Sequence, residues 1–177
     1  MNKGKLITKD LCFLALFVAV IAVMSQLAIP LPFVPITLQT FAVALAGVIL
    51  GAKKGALALL IYLALGALGL PVFSGFRGGF QAIAGPTGGY LFSFPTVAFI
   101  VGVTADKNKK SLLALGLTLG CIINLTAGSL WLAYSNKLPL QTAFLFGFVP
   151  FIAVELIKYA LVYAFAPKVK LALQISK

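Results

Sequence analysis

Glu155 and Lys158 are an acid and a base inside an apolar run, and their spacing of three residues puts both on one face of a helix. One interpretation is a structural pair whose charges neutralise each other. A charge inside a membrane span is costly, however, and two small apolar residues would avoid that cost. The pattern therefore favours a functional pair, which offers a small ligand a hydrogen-bond acceptor and a donor.

A second candidate for chemistry is the segment of residues 71–90, in which six glycines lie within fifteen positions: Gly75, Gly78, Gly79, Gly85, Gly88 and Gly89. The glycines disfavour a regular helix, yet the segment is rich in aromatic side chains and too apolar for a free aqueous loop. Irregular backbone at membrane depth survives only where it is buried in protein or lines a cavity. We therefore expect a partly re-entrant loop that lines a ligand cavity, and a tight turn at the membrane interface is the alternative.

Other polar residues in apolar runs are few, and most are expected to form hydrogen bonds between helices. This group consists of Gln26, Gln81, Asn124 and Thr126. Gln39 is the exception, because it follows a proline-rich stretch close to the expected outer face, on the same side as the glycine-rich segment. We therefore predict that Gln39 contacts the ligand.

Composition indicates that these residues are positioned by membrane-spanning helices. Of 177 residues 62% are hydrophobic and 10% charged, and the mean hydropathy of +1.11 excludes an ordinary soluble domain. Apolar runs of the length that a bilayer requires predict six spans, at about residues 11–29, 36–51, 55–70, 86–104, 111–134 and 141–166. The predicted fold is an all-α, multi-pass membrane protein with one domain over residues 1–177, and the glycine-rich loop joins its third and fourth helices.

The charge distribution predicts the orientation of these helices. Lys and Arg total 14 against 3 Asp and Glu, but the basic residues are scattered between apolar runs, which favours a topological role over nucleic-acid binding. With six spans both termini lie on one side, and Arg77 and Lys137 lie on the other. Eleven lysines share the side of the termini: Lys3, Lys5, Lys9, Lys53, Lys54, Lys107, Lys109, Lys110, Lys168, Lys170 and Lys177. The positive-inside rule therefore predicts cytoplasmic termini in the cell membrane.

Two stripes of small residues are spaced for close helix contact. Ala15, Ala19 and Ala22 form one in the first span, and Gly47, Gly51 and Gly55 form another. Each stripe suits packing inside the bundle or docking onto another membrane protein, and the sequence leaves both open.

The sequence argues against catalysis. It has no histidine, no Gly-x-Ser-x-Gly nucleophile elbow and no second intramembrane carboxylate beside Glu155. No metal cluster or cofactor motif is present either. It also has no phosphate-binding loop, so ATP hydrolysis, if transport uses it, belongs to another chain.

Three strings resemble the BioY family, the biotin-specific substrate-binding components of energy-coupling factor transporters. They are Pro-Ile-Thr-Leu-Gln-Thr at 35–40, Gly-Leu-Pro-Val-Phe at 69–73 and Gly-Pro-Thr-Gly-Gly-Tyr-Leu at 85–91. The resemblance implies a six-helix protein that captures biotin from outside and associates with a transmembrane coupling subunit and two ATPase subunits. It also implies that Ala15 and Ala19 form the docking surface for the coupling subunit.

The resemblance further implies roles within a biotin site. Glu155 would accept a hydrogen bond from a ureido N–H, and Lys158 would donate to a ligand oxygen and hold Glu155 in place. Aromatic side chains would cover the ring system and tail. The remaining candidates come from the glycine-rich segment and the fifth span, so the predicted set is Gln39, Phe73, Arg77, Gly78, Thr87, Tyr90, Trp131, Glu155 and Lys158.

Two positions depart from the family's pattern. Ala-Val-Glu at 153–155 stands where the family usually has Pro-Gly-Asp, so the carboxylate extends about one methylene farther. Arg77 stands where relatives generally carry a small or uncharged polar residue, and either pairs with the ligand carboxylate or lies at the outer interface. The alternatives are a binding component for another vitamin, or an intramembrane enzyme.

Overall fold

Helices form most of the chain in the computed structural model, which describes residues 8–173. In chain order the described elements are α1 (Thr8–Gln26), β1 (Ala28–Ile29), β2 (Ile36–Thr37), α2 (Gln39–Leu50), α3 (Ala52–Ala67), α4 (Phe80–Ala84), α5 (Gly88–Ala105), α6 (Lys110–Asn136), α7 (Leu140–Gly147) and α8 (Val149–Ala172). The predicted helical class is therefore confirmed, apart from a two-stranded hairpin.

Within residues 8–173, four helical stretches are long and apolar enough to cross a membrane: α1, α5, α6 and the run Leu140–Ala172, which combines α7 and α8. Helices α2 and α3 have 12 and 16 residues. At a rise of 1.5 Å per residue they extend about 18 and 24 Å, less than the roughly 30 Å hydrocarbon core. The multi-pass class is thus clear, while the count of six crossings stays a prediction.

Several helices begin or end at residues other than those predicted, for local reasons. The first span ends at Gln26 rather than residue 29, because residues 28–29 pair antiparallel with Ile36–Thr37 across a proline-rich turn. The sixth span is divided at Phe148, just before Pro150, whose ring nitrogen cannot donate the helical hydrogen bond. The glycine-rich segment contains the short helix α4, which the glycine spacing did not predict.

The glycine stripe packs inside the bundle. A Cβ at Gly47 would lie 2.6 Å from the Ala98 carbonyl oxygen on α5, and one at Gly55 would lie 3.1 Å from the Gly47 Cα. Gly51, at φ 78°, makes the turn between α2 and α3. Of the two interpretations of this stripe, the structure supports close packing. The alanine stripe differs, because Ala15 and Ala19 are exposed on the outer surface of α1.

Lysines collect at one end of the bundle, which we call the lysine-rich end. Lys54 pairs with Asp10 there, Lys170 pairs with Asp106 at 2.9 Å, and the α2–α3 turn lies against the Asp106 carboxylate. These contacts bring together the start of α1, the α2–α3 and α5–α6 turns and the end of α8. The described lysines at this end are Lys9, Lys53, Lys54, Lys107, Lys109, Lys110, Lys168 and Lys170. Lys3, Lys5 and Lys177 of the charge count lie outside the described residues.

Candidate functional site

A cavity of about 790 Å³ lies at the end of the bundle opposite the lysine-rich end. Its walls come from the stretch between α1 and α2, from residues 73–87 of the glycine-rich segment, and from α2, α5, α6 and α8. The volume falls within the range of small-molecule sites. The glycine-rich segment therefore lines a cavity, as the sequence predicts, and its partly re-entrant path stays a prediction.

Glu155 and Lys158 meet in the wall of this cavity, as their spacing predicts. The Lys158 Nζ lies 2.6 Å from Glu155 Oε1, and the two residues are only 4% and 2% exposed. The Thr40 hydroxyl completes the cluster, because it donates to Glu155 Oε1 at 2.8 Å and accepts from Lys158 Nζ at 2.9 Å. Thr40 was missed by sequence reasoning, since no local spacing reports a contact between α2 and α8.

The hydrogen bonds of this cluster leave capacity for a ligand. Glu155 Oε1 receives both bonds, whereas Oε2 has no partner among the described residues. The Lys158 ammonium has three N–H donors, of which Glu155 and Thr40 take two. One carboxylate oxygen, which is itself buried in the wall, and one ammonium proton therefore lack a protein partner, and a molecule that carries both a donor and an acceptor would satisfy them.

Gln39 lines the cavity, but its amide already has protein partners. Its Nε2 donates to the Tyr62 hydroxyl at 2.7 Å, and its Oε1 accepts from the Thr37 hydroxyl at 3.0 Å. The Tyr62 hydroxyl in turn donates to the Val72 carbonyl at 2.9 Å. Gln39 thus ties α2 to α3 and to the start of the glycine-rich segment, and its ligand contact stays a prediction.

A tight turn holds Phe73 and Arg77 beside each other in the glycine-rich segment. Their backbones exchange two hydrogen bonds, at 2.9 and 3.2 Å, around Gly75 and Phe76, both of which have positive φ. Gln26 fixes this turn from α1, because its side chain donates to the Phe73 carbonyl and accepts from the Phe76 amide. Phe73 is buried in the wall, whereas Arg77 is exposed and lines the cavity without a side-chain partner among the described residues.

The next two predicted residues of this segment also line the cavity. Gly78 packs on the turn that follows α3, where a Cβ would clash with the Leu70 carbonyl oxygen, so glycine is required for this approach. Thr87 is half-buried and immediately precedes α5. The structure therefore brings both to the cavity.

Tyr90 and Trp131 lie on opposite sides of the cavity wall. Tyr90 lines the cavity, packs where Gly128 has no side chain, and donates from its hydroxyl to the Gly147 carbonyl at 2.6 Å. Trp131 is not among the lining residues, and its indole Nε1 donates to the Gly85 carbonyl at 2.9 Å from behind. This placement makes Trp131 a support of the glycine-rich segment, and its ligand contact stays a prediction.

Asn124 is a lining residue that the sequence suggested only as a partner between helices. It fills that role, since its Nδ2 donates to the Tyr90 carbonyl at 3.1 Å and to the Ser93 hydroxyl at 2.6 Å. It also faces the cavity from the middle of α6. The only available signal was an amide inside an apolar run.

The arrangement suits an elongated amphiphilic ligand. The Glu155–Lys158–Thr40 cluster offers an acceptor and a donor deep in the wall, and apolar side chains of Phe73, Leu91, Phe94 and Phe151 surround the space. Arg77 adds a positive charge at the exposed side. Such a site can bind a polar head by hydrogen bonds, an apolar body by burial and an anionic tail by charge.

Comparison with known proteins agrees with this description. A model of the BioY family matches residues 1–175. The "Probable biotin transporter BioY" of Pyrococcus horikoshii is 43% identical over 152 residues, which cover 86% of this chain and 90% of the relative. The "Biotin transporter BioY" of Thermotoga maritima is 39% identical over 155 residues, 88% of this chain and 92% of the relative.

A solved structure has the same fold. It is the crystal structure of "the S-component for biotin from an ECF-type ABC transporter", with a TM-score of 0.83 and 31% identity. The match covers 92% of this chain and 90% of that one. On the family match and these identities, the chain belongs to the BioY family.

Proposed function

We propose that this protein is the substrate-binding subunit of a biotin uptake system of the energy-coupling factor type. It is a membrane transport protein of the BioY family, whose curated relatives are named biotin transporters, and the interpretation as a non-enzyme is thereby confirmed. The observation that carries the proposal at the level of residues is the buried Glu155–Lys158–Thr40 cluster in the cavity wall, with Glu155 Oε2 unpartnered among the described residues.

The cluster matches the polar head of biotin. A ureido group carries N–H donors beside a carbonyl acceptor, so Glu155 Oε2 accepts from an N–H and the remaining Lys158 proton goes to the carbonyl oxygen. Thr40 keeps Glu155 Oε1 and Lys158 Nζ occupied and thereby orients both groups. The aromatic and aliphatic walls then cover the fused rings.

Arg77 is assigned to the other end of the ligand. The acid–base cluster is deeply buried while Arg77 is exposed, so a ligand with its polar head on Glu155 directs its tail toward the arginine. A guanidinium pairs with a carboxylate through two parallel hydrogen bonds. Arg77 therefore binds the valerate carboxylate of biotin, and this choice replaces the alternative of a free interfacial arginine.

The proposed topology has six crossings with both termini in the cytoplasm. The lysine-rich end lies opposite the cavity, so the positive-inside rule directs the cavity to the exterior, where biotin is captured. The whole chain, residues 1–177, acts as one membrane domain. Ala15 and Ala19, exposed on α1, form the docking surface for a transmembrane coupling subunit that works with two ATPase subunits.

Calorimetry with the purified protein tests this function. Biotin is titrated beside biotin amide, which lacks the carboxylate charge, and beside a panel of unrelated vitamins. Biotin alone among the vitamins should bind, and the amide should bind more weakly to the parent but as well as biotin to Arg77→Gln. Binding of a different vitamin in place of biotin would overturn the proposed substrate, and equal binding of biotin and its amide to the parent would remove Arg77 from the site.

A further inference from the structure

A second cavity of about 400 Å³ lies outside the ligand site, between α6 and α8. We call it the α6–α8 groove. Its lining includes Ala114, Thr118 and Cys121 on α6, and Ile152, Leu156 and Ala160 on α8. Most of these residues are exposed, so the groove opens on the outer surface of the bundle. Because both helices are membrane-capable, this surface faces lipid.

The groove is suited to an apolar chain. The Thr118 hydroxyl donates a hydrogen bond to the Ala114 carbonyl, at 3.0 Å. The hydroxyl of Tyr159, another lining residue, is itself buried and does not open to the groove. Apart from the Cys121 thiol and the Tyr163 hydroxyl, an occupant therefore meets aliphatic and aromatic carbon, the surroundings in which a hydrocarbon chain is stable.

The length of the groove along α6 is close to the thickness of one leaflet of a bilayer. On α6 it extends from Ala114 to Leu125, and eleven residue steps correspond to about 16 Å along the helix. This is about half of the hydrocarbon core, which is roughly 30 Å thick. On α6 the groove begins at Ala114, in the second turn from the lysine-rich end, whereas on α8 it extends from Ile152 to Tyr163 and ends before Lys168. The groove therefore crosses the middle of the bundle, and its Ala114 end points toward the lysine-rich end.

Lysine side chains lie beside the end of the groove that points toward the lysine-rich end. Lys110 precedes Ala114 by four residues and therefore lies on the same face of α6. It is exposed and has no ion pair or hydrogen bond among the described residues, while the nearby acid, Asp106, is paired with Lys170. Lys107 and Lys109 add further positive charge at this point. An anion is thus attracted to the end of an apolar groove.

We propose that the α6–α8 groove binds one anionic phospholipid, with an acyl chain between α6 and α8 and the phosphate at Lys110. The assignment goes beyond biotin binding and does not depend on it. It uses the proposed topology only to place the lipid in the cytoplasmic leaflet.

The test is a lipid titration of the full chain in detergent, followed by native mass spectrometry. Dioleoylphosphatidylglycerol and the zwitterionic dioleoylphosphatidylcholine serve as probes. The parent should retain one phosphatidylglycerol in preference to phosphatidylcholine. Lys110→Gln should reduce this preference about fivefold, the effect of one lysine near an anionic surface, with phosphatidylcholine binding unchanged.

Filling the groove should remove the lipid. Ala114→Phe with Ala160→Phe places two rings in it and should weaken phosphatidylglycerol binding at least tenfold, whereas Leu161→Phe, exposed on the opposite face of α8, should not. Gel filtration establishes that each variant is folded and monodisperse. Equal retention by parent and filled variant overturns the proposal, as does equal binding of the two lipids to the parent. A dimer that forms in the parent and is lost in the filled variant would show that a second copy covers the groove.

Discussion

Replacing Glu155 by Gln separates the shape of the cluster from its charge. In the parent, Oε1 accepts from Thr40 at 2.8 Å and from Lys158 at 2.6 Å, which leaves Oε2 for the ligand. The amide that Glu155→Gln introduces has one oxygen, and these two protein donors hold it in place. The NH2 group then takes the position of Oε2 and presents a donor to the ureido N–H of biotin.

The expected loss of affinity for biotin follows from the hydrogen bond that Glu155→Gln removes. A hydrogen bond to a charged acceptor contributes about 1.5 to 3 kcal/mol, and a donor facing a donor recovers none of it. The dissociation constant for biotin should therefore rise roughly tenfold to a hundredfold. Calorimetry of parent and variant in the same detergent at neutral pH measures the ratio. Glu155→Asp is the control, because it keeps the charge and shortens the side chain by one methylene.

Glu155 has no ligand role if Glu155→Gln binds biotin as tightly as the parent does. The pair would then be structural, and the ligand would be held chiefly by the glycine-rich segment with Arg77 and Gln39. A loss of binding accompanied by aggregation would also not support a ligand role, so gel filtration and the thermal midpoint are recorded for both variants. Only weaker binding by a folded Glu155→Gln, with Glu155→Asp binding biotin better than Glu155→Gln, agrees with the geometry.

Two further predictions concern topology and docking. In a background without Cys12 and Cys121, a single cysteine at Lys137 should react with an impermeant thiol reagent on intact cells and one at Lys109 should not; the reverse pattern would invert the proposed orientation. Ala15→Leu with Ala19→Leu should leave biotin binding intact and abolish co-purification with the coupling and ATPase subunits, whereas Ala164→Leu, exposed on α8 and outside the ligand cavity, should change neither. Loss of biotin binding in the Ala15 and Ala19 variant would instead mean that this stripe supports the bundle.

The fold could be predicted where the signal is local. Apolar runs locate α1, α5 and α6 to within a few residues, because length and hydropathy are properties of a contiguous segment. The small hairpin escaped prediction, since pairing of Ile29 with Ile36 depends on how two short stretches meet in space. The break at Phe148 was visible in Pro150, but a proline within an apolar run permits a kinked span as well as two helices.

The site shows the same division between local and distant signals. Glu155 and Lys158 are neighbours on one helix, so their spacing predicts their contact. Thr40 reaches them from another helix, and Asn124 faces the cavity from a third, so sequence spacing cannot reveal either. The aromatic content of the glycine-rich segment indicated that it is buried. Residue type alone could not show that Phe73 lines the cavity whereas Trp131, on α6, supports the segment from behind.

The Glu155–Lys158–Thr40 cluster should contribute more to the affinity for biotin than to the free energy of unfolding. Removing one member of a buried ion pair leaves an uncompensated charge and costs about 3 to 5 kcal/mol, whereas replacing the whole group by apolar residues is often neutral or stabilising by about 1 to 4 kcal/mol. Glu155→Met alone should therefore destabilise the protein, since Lys158 loses the partner at 2.6 Å. The triple variant Thr40→Val, Glu155→Met, Lys158→Met removes all three interacting side chains together.

The triple variant should recover the stability of the parent, or exceed it, without recovering biotin binding. Unfolding in a detergent titration measures the first quantity and calorimetry the second. If the triple variant is as unstable as Glu155→Met, the cluster holds α2 to α8 and its charges serve the fold. If stability returns while binding is lost, the chain keeps a destabilising buried pair for the sake of its ligand, which is the condition under which ionisable residues persist inside membrane proteins.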